Sequence, residues 1–204
     1  EGFLAILGRR ELRRTFLVAF GAFFVFSSGF NYLPFYLSGP PFSLSVHVIT
    51  FLYLAYIVGI VIGPLAGGLS NRVGNGAAMM GGALVFALAL LITLIKSLAV
   101  IAVALLLVCA GFFTIHSAAA GSLNRRLPGS RGKANSLYVL FYYLGGACGI
   151  TLSGWAFSLA GWPGVVTLGL LVLTVPLVTG YRDHREDNQG RPQGINTNVR
   201  SKKE

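Results

Sequence analysis

His116 is the only histidine deep inside an apolar stretch of this 204-residue chain, and Tyr138 and Tyr142 stand one turn apart in the next stretch. An imidazole held away from water, within reach of phenolic hydroxyls, can take up and release a proton. It can equally stay neutral, hydrogen-bonded to either tyrosine as a packing group. Ser27, Ser28 and Asn31 form a second polar group in an otherwise apolar run, with Pro34 one turn later. A proline lacks the N–H that continues a helix, so the chain is expected to kink there. Ser28 and Asn31, spaced i and i+3, can share a helical face; they serve either a cavity or the hydrogen-bonded joining of neighbouring helices. Ser27, Ser28, Asn31, His116, Tyr138 and Tyr142 are therefore the candidate solute contacts, and His116 the candidate proton carrier.

Other chemistries find less support. A rhomboid-type intramembrane protease needs a Ser in a GxSG setting and a His on another helix. Here Ser153-Gly154 has Thr151 in place of the first Gly, and the last apolar run contains no His. Cys109 and Cys148 have no CxxC spacing and no metal-ligand neighbours, so both read as small packing residues, with no metal or cofactor expected. Neither a ring of like charges nor a TVGYG-like filter supports a channel. A six-helix channel or a structural membrane subunit is the alternative to transport, and an enzyme is not expected.

The elements that must hold these residues follow from composition. The chain is 54% hydrophobic and 11% charged, with a mean hydropathy of +0.72. A soluble domain carries roughly 25% charged residues, so lipid must replace water over much of this surface. Six uncharged runs stand out, at 15–38, 45–70, 77–95, 98–122, 134–159 and 164–181. Each is near the roughly 20 residues that cross the hydrocarbon core as a helix, and helices satisfy their own backbone in lipid. An all-α integral membrane fold of six transmembrane helices is predicted.

Charge placement orients them. Between Thr15 and Tyr181 the only Lys and Arg are Arg72, Lys96, Arg125, Arg126, Arg131 and Lys133, each in a connection. Fifteen of the sixteen basic residues fall on one side, in residues 1–14, the 71–76 and 123–133 loops and the tail, leaving Lys96 alone opposite. Positive residues favour the cytoplasm, so both termini are expected inside. The net charge of +10 is thus a topology signal, with no nucleic-acid partner implied. Tyr32, Phe35, Tyr36, Trp155 and Trp162 gather near the opposite interface as expected anchors. His47, at the start of the second run, reads as solvated. The mixed-sign tail 182–204 is expected to be disordered.

Two glycine patterns suggest close helix contacts: Gly59, Gly63 and Gly67 in the second run, and Gly145 and Gly149 in the fifth. They fit ordinary bundle packing or an interface with a second bundle. The first of these runs into Gly67-Gly68-Leu69-Ser70-Asn71-Arg72-Val73-Gly74-Asn75-Gly76. This resembles the signature loop of the major facilitator superfamily, roughly G-x-L-A-D-R-x-G-R-K, between the second and third helix of each half. Gly67, Leu69, Arg72 and Gly74 match; Asn71 replaces the usual Asp, and Asn75 and Gly76 replace the basic pair, which weakens a charge-relay gate. The stretches Leu12–Leu37 and Gly111–Gly149 are similar to the seventh and the tenth to eleventh helices of the family's bacterial YnfM-type inner-membrane transporters.

That resemblance, over residues 9–181, implies the C-terminal half of a twelve-helix transporter, built as two inverted three-helix repeats. Residues 1–14 would end the central cytoplasmic linker. The first and fourth spans would line the cavity, and the second and fifth, with their glycines, would meet a missing N-terminal half. The implied function is secondary active transport of a small organic solute in the bacterial inner membrane, with proton-coupled drug or metabolite efflux foremost. The lipid bilayer and that first half are the implied partners. No spanning run contains a carboxylate, so the coupling proton would sit on the missing half or on His116.

Overall fold

The computed structural model describes residues 2–127 and 129–189, and every element among them is helical. A short α1 (Phe3–Gly8) precedes α2 (Arg10–Ser38). The second span is composite: α3 (Val46–Leu52), a 3₁₀ turn (Tyr53–Tyr56) and α4 (Ile57–Val73). Then come α5 (Asn75–Ile92), α6 (Leu98–Arg126) and α7 (Arg131–Gln189). Five helices are long and apolar enough to cross a membrane. The last is two in one. At 59 residues it would reach about 88 Å if straight, nearly three times the hydrocarbon thickness.

Gly161 breaks it, with φ 61° and ψ −148°. That left-handed φ favours glycine, and Pro163, two residues on, suits the first turn of a new helix. The arms fold back on each other so closely that a Cβ at Gly164 would strike the Ala156 carbonyl. The expected loop 160–163 is therefore a single non-helical residue between a first arm (131–160) and a second (162–189). A second correction concerns the tail. Residues 182–189, expected to be disordered, continue the helix; the remainder of that tail lies outside the described residues.

α2 is the central element. Leu12, Phe16, Ala19, Phe26, Phe30, Leu33 and Leu37 keep a spacing near 3.5 and are all buried, and its other faces are covered as well. The first arm of α7 approaches one side, where a Cβ at Gly145 or Gly149 would collide with the Phe20 or Phe24 carbonyl. The second arm covers another side through Val172 and Val175 against Gly21. Lipid gives helices no hydrophobic reason to choose one another over acyl chains, so such close backbone approach is what fixes the bundle.

Glycine does the same elsewhere. α5 crosses α6 at Gly82 and Gly111, and crosses the second arm at Gly76 and Gly180; each of these glycines has its partner helix's backbone where a Cβ would stand. The composite second span leans on α6 through Gly59, which receives the Phe113 ring, and Ser117, whose hydroxyl donates to the Gly63 carbonyl at 3.3 Å. The opposite face of that span is uncovered: Ile57, Ile60, Val61 and Leu65 are all exposed.

Candidate functional site

The four segments α2, the second span, α6 and the first arm converge on a band of rings. The Tyr138 hydroxyl and His116 Nδ1 share a hydrogen bond of 3.1 Å. Tyr138 is buried and His116 half-buried. Tyr142 lies 5.4 Å from the imidazole, ring centre to ring centre, and stacks on Phe23 at 3.8 Å. Phe112, one turn from His116 on α6, stacks on Phe26 at 4.0 Å. The band continues through Phe30 to Tyr56 at 4.4 Å, and the Tyr53 hydroxyl donates to the Phe30 carbonyl at 2.6 Å.

His116, Tyr138 and Tyr142 are thus brought together as their spacing suggested, one helical turn being what aligns Tyr138 with Tyr142. An imidazole bonded through Nδ1 to a phenol can shuttle a proton along that bond, and its second nitrogen is left for solvent or solute. Phe23, Phe26, Phe30, Phe112, Tyr53 and Tyr56 were not foreseen. Phe23, Phe26 and Phe30 at i, i+3 and i+7, with Tyr53 and Tyr56 at i, i+3, carried the signal.

The serines take one of the two roles left open for them, the hydrogen-bonded joining of helices. Ser28 donates to the Phe24 carbonyl at 2.6 Å, and Ser27 to the Phe24 and Gly146 carbonyls at 3.2 Å each. Both are buried. They bind α2 to itself and to the first arm rather than lining a cavity. Asn31 is exposed, its amide donating to the Ser27 carbonyl at 2.8 Å. Gly59, Gly145 and Gly149 pack inside this bundle, so they are not free for a second one, whereas added methyls at Gly63 and Gly67 would meet nothing. Trp162, expected as an interface anchor, is buried and donates to the Thr93 hydroxyl at 2.9 Å.

The signature-like loop closes the second span. Gly74 has φ 91° and joins α4 to α5 in one residue, a turn that favours glycine. Leu69, Asn71 and Arg72 are exposed. A polar cleft of about 440 Å³ joins Ser70, Asn71, Arg72 and Gly74 to Arg125, His184 and Asp187. Asn75 is buried against Gly121, and a Cβ at Gly76 would strike the His184 backbone. The end of α7 therefore leaves no room for a basic pair at 75–76.

Beside this loop, ion pairs gather three helix ends. Arg126 Nη2 lies 2.9 Å from the buried Asp183 carboxylate, an ion pair without hydrogen-bond alignment. Arg126 also donates to the Glu11 carbonyl at 3.3 Å, and Arg14 pairs with Glu186 at 3.0 Å.

The profile of the Major Facilitator Superfamily matches residues 16–202. The chain belongs to that superfamily. It is 37% identical to the Escherichia coli inner membrane transport protein YnfM over 156 residues, 76% of this chain and 37% of that one. An uncharacterized MFS-type transporter of Bacillus subtilis, YybF, is 29% identical over 199 residues, 95% of this chain and 49% of its own. An uncharacterized transporter of Buchnera aphidicola (Schizaphis graminum) is 31% identical over 172 residues, 82% of this chain and 42% of its own. The chain thus spans half or less of the length of these relatives. Superfamily membership makes it a multi-pass membrane protein of the transporter class rather than of an enzyme class.

Proposed function

We propose that this chain is the second half of a secondary active transporter, moving a small organic solute by alternating access against a first six-helix half. The carrying observation is the convergence of α2, the second span, α6 and the first arm on one aromatic band holding His116. Pocket walls rich in aromatic rings with few polar groups suit apolar or amphipathic organic solutes. Exposed Ile57, Ile60, Val61 and Leu65 on the second span, and the open positions at Gly63 and Gly67, leave a face for the other half.

Two inverted three-helix repeats account for the contacts. Gly145 and Gly149 of the fifth segment receive the first, while Gly59 of the second receives the Phe113 ring of the fourth, whose Ser117 hydroxyl donates to the Gly63 carbonyl. Swapping the repeats exchanges these pairs. The basic face is read as cytoplasmic, which puts both ends of the chain on the cytoplasmic side of the inner membrane. Within this chain the proton carrier is His116, since no Asp or Glu lies between Glu11 and Asp183.

The test is proton movement in everted membrane vesicles containing this chain joined to a superfamily first half. Addition of amphipathic organic cations should release protons from acidified vesicles, and neither half alone should do so. Proton release unchanged in vesicles lacking the chain would reject the proposal.

A further inference from the structure

Arg10, Arg13, Arg14 and Leu17 follow at i, i+3, i+4 and i+7, so one face of α2 passes from guanidinium to aliphatic within two turns. Arg182, at the end of the second arm, reaches the same place, and the five side chains line a cleft of about 440 Å³. Hydropathy sets its depth. The uncharged run of α2 begins at Thr15 and that of the second arm ends at Tyr181, so the cleft straddles the boundary between acyl chains and headgroups.

The charges in it are largely unanswered. Arg14 pairs with Glu186 at 3.0 Å. Arg10, Arg13 and Arg182 are exposed and have no acidic partner among the described residues. The two neighbouring clefts on this face each contain carboxylates, Glu11 and Glu186 in one and Asp187 in the other; this one contains none. Converging guanidinium groups repel one another unless an anion sits among them. A phosphodiester answers them with paired oxygens that match the guanidinium fork. Leu17, 48% exposed, offers an apolar wall on the membrane side, which a free ion would not use.

We infer that this cleft binds an acidic phospholipid, its phosphodiester against Arg10, Arg13 and Arg182 and an acyl chain along Leu17. Basic pockets between helices at the membrane surface hold anionic headgroups in this manner. The site stands apart from the aromatic band and requires only that the chain spans a membrane, so it survives if the transport proposal fails.

Native mass spectrometry of the purified chain in neutral detergent tests it, titrating dioleoylphosphatidylglycerol against dioleoylphosphatidylcholine. The anionic lipid should bind at least about tenfold tighter. The pair Arg13→Gln/Arg182→Gln should weaken it by about 30-fold, whereas the charge-matched pair Arg72→Gln/Lys96→Gln should change it little. Should the first pair fail to fold, the exposed Arg10→Gln carries the test alone, with an expected loss of about fivefold. Millimolar inorganic phosphate should leave lipid binding intact. Equal affinity for the two lipids, equal loss in both pairs, no loss in Arg10→Gln, or displacement by phosphate would each overturn the assignment, the last by making the cleft a free-anion site.

Discussion

At the scale of single residues, the hydrogen bond between Tyr138 and His116 is the contact with the most chemistry in it. Its 3.1 Å length ties the one deep imidazole to a buried phenol, fixing which ring nitrogen is left for solute or solvent. Tyr138→Phe keeps the ring and removes the bond. The expected result is a modest stability change, about 1 kcal/mol, together with a displaced pH profile of solute-driven proton release. His116→Ala should abolish that pH dependence; an unaltered profile in both variants would assign the pair to packing. Spacing brought His116, Tyr138 and Tyr142 into view, because helical periodicity alone aligns groups one turn apart. Spacing could not separate Ser27 and Ser28 from a cavity wall. Their hydroxyls find backbone carbonyls, one of them on Gly146 over a hundred residues away, and no local pattern records that partner.

At the scale of elements, helix contacts are made by absent side chains. Gly149 admits the Phe24 carbonyl, while a methyl at Gly63 would meet nothing. Gly149→Ala should therefore destabilise the detergent-purified protein by about 1–3 kcal/mol, and Gly63→Ala should leave thermal unfolding nearly unchanged. Equal effects would mean that these contacts do not hold the bundle. Both glycines belong to i, i+4 pairs in the sequence, which is why periodicity gave them the same role and the structure does not. Apolar runs mark hydrocarbon, not helix ends. α6 runs on to Arg126 and α7 starts at Arg131, so the connection is shorter than the uncharged runs suggested.

The end of α7 makes the same point. Mixed charges at 182–187 read as solvated chain, yet Asp183 meets Arg126 and Glu186 meets Arg14, partners remote in sequence. Removing one member of a buried pair strands the other. Arg126→Ala should cost about 3 kcal/mol, and adding Asp183→Asn should recover much of it. Measured melting that shows no recovery in the double variant would remove the ion pair from the account.

At the scale of the whole molecule, the bundle encloses its central helix and leaves apolar surface open on the helices around it. α2 is buried nearly all round, whereas the second span shows Ile57, Ile60, Val61 and Leu65. In a membrane, open apolar surface can face either lipid or another protein, and hydropathy does not distinguish the two. The aromatic band lying across the four converging segments is what favours a partner and a path between the halves. The most direct measurement is therefore water accessibility within the span, made in the chain joined to a first half. Tyr56→Cys, on the band, and Leu84→Cys, on the exposed face of α5, are compared after Cys109→Ala and Cys148→Ala remove the native thiols. The account predicts that a membrane-impermeant maleimide labels the cysteine at 56, that solute protects it, and that the cysteine at 84 stays unlabelled in lipid. A cysteine at 56 as unreactive as that at 84, with or without solute, would contradict it.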